Sequence, residues 1–146
     1  DATMISLDME GGPFGGGYTK DDIPRLKIYA KETQQTHFVL ADSHSLETVN
    51  TIKGKLGDRQ LDILFIDGDH SYEGVKADFE NYSQFVRTGG LIVFHDILFH
   101  TFNRDCDVEL FWRKIKNNYK FTEFIDKTDI HWGGIGMIVW GDTKNE

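Results

Sequence analysis

Two apolar runs, "LDILFI" (Leu61–Ile66) and "LIVF" (Leu91–Phe94), constrain this chain more than any other feature. Neither shows the strict alternation of a strand with one wet face, so both read as central strands covered on both sides, the pattern of a parallel sheet. Between them Val75, Phe79, Tyr82 and Val86 recur at helical spacing, and Gly89–Gly90 in "RTGG" supply a stop. A strand, a helix and a second strand in one sheet make a crossover unit, and the rest of the chain repeats the theme. Met4–Met9 reads as a strand. Asp21 or Asp22 can cap a helix carrying Ile23, Leu26 and Tyr29–Ala30, with Pro24 tolerated in its first turn. His37–Ala41 is a strand, Ser45 caps a helix with Leu46, Val49, Ile52 and Leu56 on one side, and Gly57 ends it. After a loop from about Ile97 to Asp107 come a helix through Val108, Phe111, Trp112 and Ile115, and two strands, Phe121–Ile125 and Ile135–Trp140, with no helix between them. The order predicts an α/β fold: a mostly parallel sheet sandwiched by helices and closed by an antiparallel hairpin, in one domain spanning 1–146.

Composition narrows the partners. With 24 acidic against 16 basic residues the net charge is −8, which repels nucleic acid and anionic lipid. No apolar run approaches the ~20 residues of a membrane span. The lone Cys106 excludes an internal disulfide framework and fits a reducing, cytoplasmic setting. The opening "DATMISLD" lacks an initiator Met and already reads as strand, so the chain is expected to be a piece of a longer protein.

In open parallel sheets ligands bind beyond the carboxyl ends of the strands. Here those ends carry Asp8 and Glu10, then Asp42, Ser43 and His44, then Asp67, Asp69 and His70, then His95 and Asp96. Asp67 and Asp96 each follow a central strand and can lie side by side, with His95 beside them. Two carboxylates and an imidazole suit a divalent cation with open water positions; ion pairing and helix capping also place Asp after strands. His70, three residues past Asp67, could serve as general base or sit at a helix start bonded to backbone. The loop "GGPFGGGY" (Gly11–Tyr18) lacks both the Lys–Ser/Thr ending of a phosphate loop and the dinucleotide spacing; it reads as a surface loop or as a lid with Phe14 and Tyr18 free to stack on a ligand. Cys106 has no base in evident relation to it and reads as inert. His37, His100 and His131 carry no informative spacing, and Trp112 and Trp132 read as packing, Trp132 being the better candidate for substrate stacking.

"MISLDMEGGPFGGGY", "LADSHSLET", "LDILFIDGDHSYEGVKADFENY", "VRTGGLIVFHDI" and "GIGMIVW", in that order, resemble the class I S-adenosylmethionine-dependent methyltransferases, in particular the group of cephalosporin-hydroxylase-like and macrolide sugar O-methyltransferases. The resemblance runs nearly end to end. It implies a Rossmann-like three-layer sandwich with strand order 3-2-1-4-5-7-6, strand 7 antiparallel, entered here at the second strand with the first strand and its glycine motif missing. It further implies Asp8 on the cofactor ribose, Asp42 and Ser43 near the adenine and Asp69 on the cofactor side. Mg2+ or a similar cation would sit on Asp67, His95 and Asp96, with Asp67 and His70 catalytic. Two departures from related metal-dependent enzymes stand out: His70 where Lys is common, and His95–Asp96 where Asp–Asn is common. The implied reaction is methyl transfer to a hydroxyl of a small molecule. A binding module without turnover and a metal-dependent hydrolase are the alternatives. Loss of a central strand would leave neighbouring edges open, so a homo-oligomer is expected.

Overall fold

The computed structural model describes residues 2–11, 16–101, 105–126, 128 and 133–143. Its contacts gather into two compact units, Asp1–Lys55 and Leu56–Glu146.

In the first unit β1 (Ala2–Asp8) and β2 (Gln34–Leu40) run parallel, in register from Ala2 opposite Gln34 to Asp8 opposite Leu40. Tyr18 ties the glycine loop to this pair: its hydroxyl donates to the Ser6 carbonyl at 2.9 Å and lies 3.3 Å from that of Val39, and its ring packs edge-on against Phe38. The side chain read as free to stack on a ligand is therefore engaged with the strands. Helix α1 is only Ile23–Lys27, shorter than the apolar spacing through Tyr29–Ala30 suggests, and Tyr29 is exposed. Asp22 stands at its N-cap, yet its carboxylate bonds backward to the Thr19 amide and hydroxyl. Helix α2 (Leu46–Leu56) starts where expected: the Ser45 hydroxyl accepts the Thr48 amide, and Gly57, at φ +60, turns the chain out of the helix.

The second unit holds a four-stranded sheet in the order β3 (Leu61–Ile66), β4 (Val86–His95), β6 (Ile135–Thr143), β5 (Tyr119–Phe124). β3 and β4 are parallel, and β6 is antiparallel to both its neighbours. The two sheets reproduce two runs of the expected order, so the fold is Rossmann-like α/β with an antiparallel closing pair. α3 (Tyr72–Tyr82) and α4 (Val108–Ile115) bury Val75, Phe111 and Trp112 against Ile92, Phe94 and Ile138, which are fully enclosed. Phe79 bridges the layers, its ring meeting those of Phe94, Phe111 and Trp140.

Two expectations are corrected. Gly89–Gly90 do not stop a helix: α3 ends at Tyr82, a 3-10 turn covers Ser83–Phe85, and β4 already runs through the glycines. They make a bulge instead, since Leu61 pairs with Val86 but Ile63 with Leu91, leaving four residues opposite one. A Cβ at Gly90 would meet Val86 and the Asp62 carbonyl, and Gly89 has φ +77, so the bend needs both. The second correction concerns the faces of β3, expected to be covered on both sides; its open edge agrees with the expectation that a missing neighbouring strand leaves it unpaired. Among the described residues β3 pairs with β4 alone, and Ile63 and Phe65 are 58% and 53% exposed, so it is an edge strand with one open apolar face.

Candidate active site

The register that sets Ile66 beside Phe94 also sets the two following turns side by side, and there the second unit concentrates its ionisable groups. Asp67 Oδ1 lies 3.2 Å from His95 Nδ1 and 3.3 Å from His70 Nε2; His95 Nδ1 is 3.1 Å from Asp96 Oδ1, and His70 Nδ1 is 3.2 Å from Asp96 Oδ2. Asp67, His70, His95 and Asp96, each singled out in the sequence, thus form one cluster. Asp96 is buried and takes φ +58, a left-handed conformation that Asp tolerates better than most residues and that recurs at functional turns. Asp96 Oδ1 and His95 Nδ1 are shielded from solvent without a hydrogen bond, although they lie close to one another. Buried polar atoms left in that state are costly unless something else satisfies them. His95 Nδ1 stands 3.2 Å from Asp67 Oδ1 and 3.1 Å from Asp96 Oδ1, near the roughly 3.0 Å between neighbouring ligands of an octahedral cation. Asp67, His70 and His95 offer donor atoms all within 4.8 Å of one another, so the donor chemistry fits a divalent metal.

His70 begins the turn into α3. Asp69 Oδ1 accepts the Ser71 amide at 2.8 Å, and the Ser71 hydroxyl accepts the Gly74 amide at 3.0 Å as N-cap. Gly74 is required there because a Cβ would collide with the Asp69 side chain. Asp69, assigned from the resemblance to the cofactor side, is exposed and has this local duty. Hydrogen bonding to Asp67, then to Cys106, raises the His70 pKa to about 10, and nearby Asp96 adds to the rise. Without a cation, His70 is an imidazolium at neutral pH.

Two participants carried no signal in the sequence. Cys106, read as inert, is buried with Sγ 3.9 Å from His70 Nδ1, and His100 Nε2 lies 3.7 Å from Asp96 Oδ2. A backbone bond explains Cys106: the Asp107 amide donates to the His70 carbonyl at 2.8 Å, clamping this loop onto the turn before α3. Contacts 36 residues apart leave no periodicity to read.

The remaining assigned residues lie in the first unit, at the carboxyl ends of its strands. Asp8 Oδ1 accepts the Met9 amide, and its carboxylate leaves no room for a Cβ at Gly17. Asp42 is exposed, accepts the His44 amide at 2.9 Å and, with Glu10 and Lys20, lines a cavity of about 330 Å³; Ser43 follows in the turn to α2. Glu10 is the acid there that the sequence reading passed over in favour of Asp8. A larger cavity of about 630 Å³ runs along the Met4, Thr36 and Phe38 face beside α1, away from these acids. Phe14, His131 and Trp132 lie outside the described residues.

A family model described as "Methyltransferase domain" matches residues 4–97, more than half of the chain and every one of the residues assigned above. The chain belongs to this methyltransferase family. Among solved structures, this methyltransferase domain is similar to an O-methyltransferase from Bacillus cereus in complex with SAH, at TM-score 0.58 and 18% identity over 94% of this chain and 73% of that one. It is also similar to MycE, a methyltransferase of the mycinamycin biosynthetic pathway in complex with Mg, SAH and mycinamycin VI, at TM-score 0.53 and 15% identity over 94% of this chain and 44% of that one. At such identities these likenesses concern the fold. Uncharacterized protein R132 of Acanthamoeba polyphaga mimivirus is 58% identical over 36 residues, 25% of this chain and 16% of that protein. Uncharacterized protein y4gI of Sinorhizobium fredii is 31% identical over 86 residues, 58% of this chain. The chain thus spans 16% and 8% of the lengths of these two relatives.

Proposed function

We propose that this domain transfers a methyl group from S-adenosylmethionine to a hydroxyl of a small molecule with the help of a divalent cation such as Mg2+. The observation that carries this reading is the approach of Asp67 and Asp96 to His95 Nδ1, where His95 Nδ1 and Asp96 Oδ1 are buried without a hydrogen bond, with His70 Nε2 3.3 Å from Asp67. Family membership and SAH in the Bacillus cereus neighbour support the cofactor; Mg in MycE supports the cation. Asp67, His95 and Asp96 would hold the cation, with Asp8, Asp42, Ser43 and Asp69 on the cofactor side and Glu10 added to them. When bound, the cation lowers the pKa of a nearby hydroxyl and neutralises the carboxylates that otherwise keep His70 protonated. S-adenosylmethionine supplies the methyl group on a sulfonium. His70, its ring fixed by Nδ1–H donation to Asp96 Oδ2 at 3.2 Å, would accept the hydroxyl proton at Nε2 once the neighbouring Asp67 carboxylate is taken up by the cation. The protein's other task is alignment, since holding oxygen, methyl carbon and sulfur in line removes much of the entropic barrier.

The test is a methyl-transfer assay with labelled S-adenosylmethionine, a panel of sugar and phenol acceptors, and Mg2+. A product heavier by one methyl group is expected, with His70→Gln lowering the rate by at least the 10²-fold of a lost general base. Undiminished transfer by the Asp67→Ala, Asp96→Ala double variant would remove this cluster from the reaction.

A further inference from the structure

On its inner side the cluster presents a different set of donors. His70 Nδ1, Asp96 Oδ2 and Cys106 Sγ each offer one atom, all mutually within 4.8 Å, and His100 Nε2 approaches the same carboxylate oxygen at 3.7 Å. These are not the atoms that face outward: His70 contributes its other nitrogen and Asp96 its other oxygen. The chemistry differs too, because a thiol and imidazoles favour zinc-like ions, whereas Mg2+ takes oxygen. The spacing agrees. Tetrahedral bonds of about 2.1 Å to N or O and about 2.3 Å to S put ligand atoms roughly 3.4 Å apart for N and O and roughly 3.6 Å apart for N and S. The observed separations are 3.2 Å from His70 Nδ1 to Asp96 Oδ2 and 3.9 Å from His70 Nδ1 to Cys106 Sγ. Asp96 is 5% exposed, and its Oδ1 has no hydrogen bond, so this carboxylate is buried without its full complement of partners. The Asp107-to-His70 backbone bond holds Cys106 in place before any ion arrives.

We propose that His70, Asp96 and Cys106 form an inner site for a thiophilic divalent cation of the zinc class, with His100 beside its carboxylate. Binding releases the thiol proton and the His70 Nδ1 proton to solvent, so the ion takes the Nδ1 lone pair and the ring keeps its proton on Nε2. An imidazole in that state cannot accept a proton at Nε2. Resting on the methyl-transfer reading, the inner ion is therefore an inhibitor that takes the base out of service.

Cobalt(II) titration of the chain tests the site without any assay of activity. Cys106 is the only cysteine, so a thiolate-to-cobalt charge-transfer band in the near ultraviolet reports on it alone. The band is expected in the wild type and in Asp67→Ala, to be displaced by zinc, and to be absent from Cys106→Ala. A folded wild type without the band, or a band that survives Cys106→Ala, overturns the proposal, and the wild-type measurement decides even where the variant fails to fold. In the transfer assay, zinc is expected to inhibit the wild type at least tenfold more strongly than Cys106→Ala. A band with no transfer to any acceptor would sink the methyl-transfer reading and leave the inner site standing; transfer without a band would do the reverse.

Discussion

His70 has the environment that decides most about this chain. Hydrogen bonding to Asp67 and Cys106 raises its folded-state pKa from 6.5 to about 10. A His with a raised pKa stabilises the fold fully below its unfolded pKa and loses that stabilisation as pH rises through the folded one. Metal-free protein is therefore expected to lose stability between about pH 6.5 and pH 10, and urea melts of the wild type against His70→Gln check it: the slope with pH should flatten in the variant. An equal slope in both would place the titrating group elsewhere. The carboxylates make a second prediction. Mg2+ at one hundred times its dissociation constant should stabilise the wild type by about 2.7 kcal/mol, and the Asp67→Ala, Asp96→Ala pair should abolish the gain in melting temperature. An undiminished gain would move the cation off this cluster.

Elements position these residues through their packing. Gly136 of β6 lies opposite Phe94 in the ladder, and a Cβ there would sit 2.8 Å from the Trp112 ring and 2.9 Å from Ile97. Trp112 has little freedom to move aside, since its ring nitrogen donates to Glu123 Oε1 at 2.6 Å and its ring is 1% exposed among Phe94 and Phe121. Gly136→Ala is expected to cost about 1–3 kcal/mol by overpacking; because Ile97 adjoins Asp96, it should also weaken the Mg2+ stabilisation. Denaturant melts with and without Mg2+ measure both, and a neutral substitution would show that this layer is looser than its contacts indicate.

At the scale of the whole molecule the open question is the outer edge of β3. Strands with unpaired backbone groups and exposed apolar side chains recruit other strands, and Ile63 and Phe65 present such a face among the described residues. The chain is expected to self-associate, with Phe65→Lys shifting light scattering toward the monomer; a monodisperse wild type at high concentration would refute this.

What the sequence alone determined follows from local physics. Leu61–Ile66 is a strand in both readings, the cap at Ser45 marks a helix start, and the Asp67 and His95–Asp96 turns were legible because apolar runs ended abruptly in charge. Adjacent parallel strands carry their following residues to one edge, so that neighbourhood could be inferred from order. Tertiary structure decided whatever depends on approach between distant segments. The glycines of "RTGG" look like a helix stop until β4 is seen bulging against Asp62, and β3 reads as covered on both faces until Ile63 and Phe65 are found exposed. Cys106 and His100 reach the cluster through one backbone bond and one strained turn. Hydrophobic periodicity records which face of an element is buried; it holds no record of which loop a single hydrogen bond brings home.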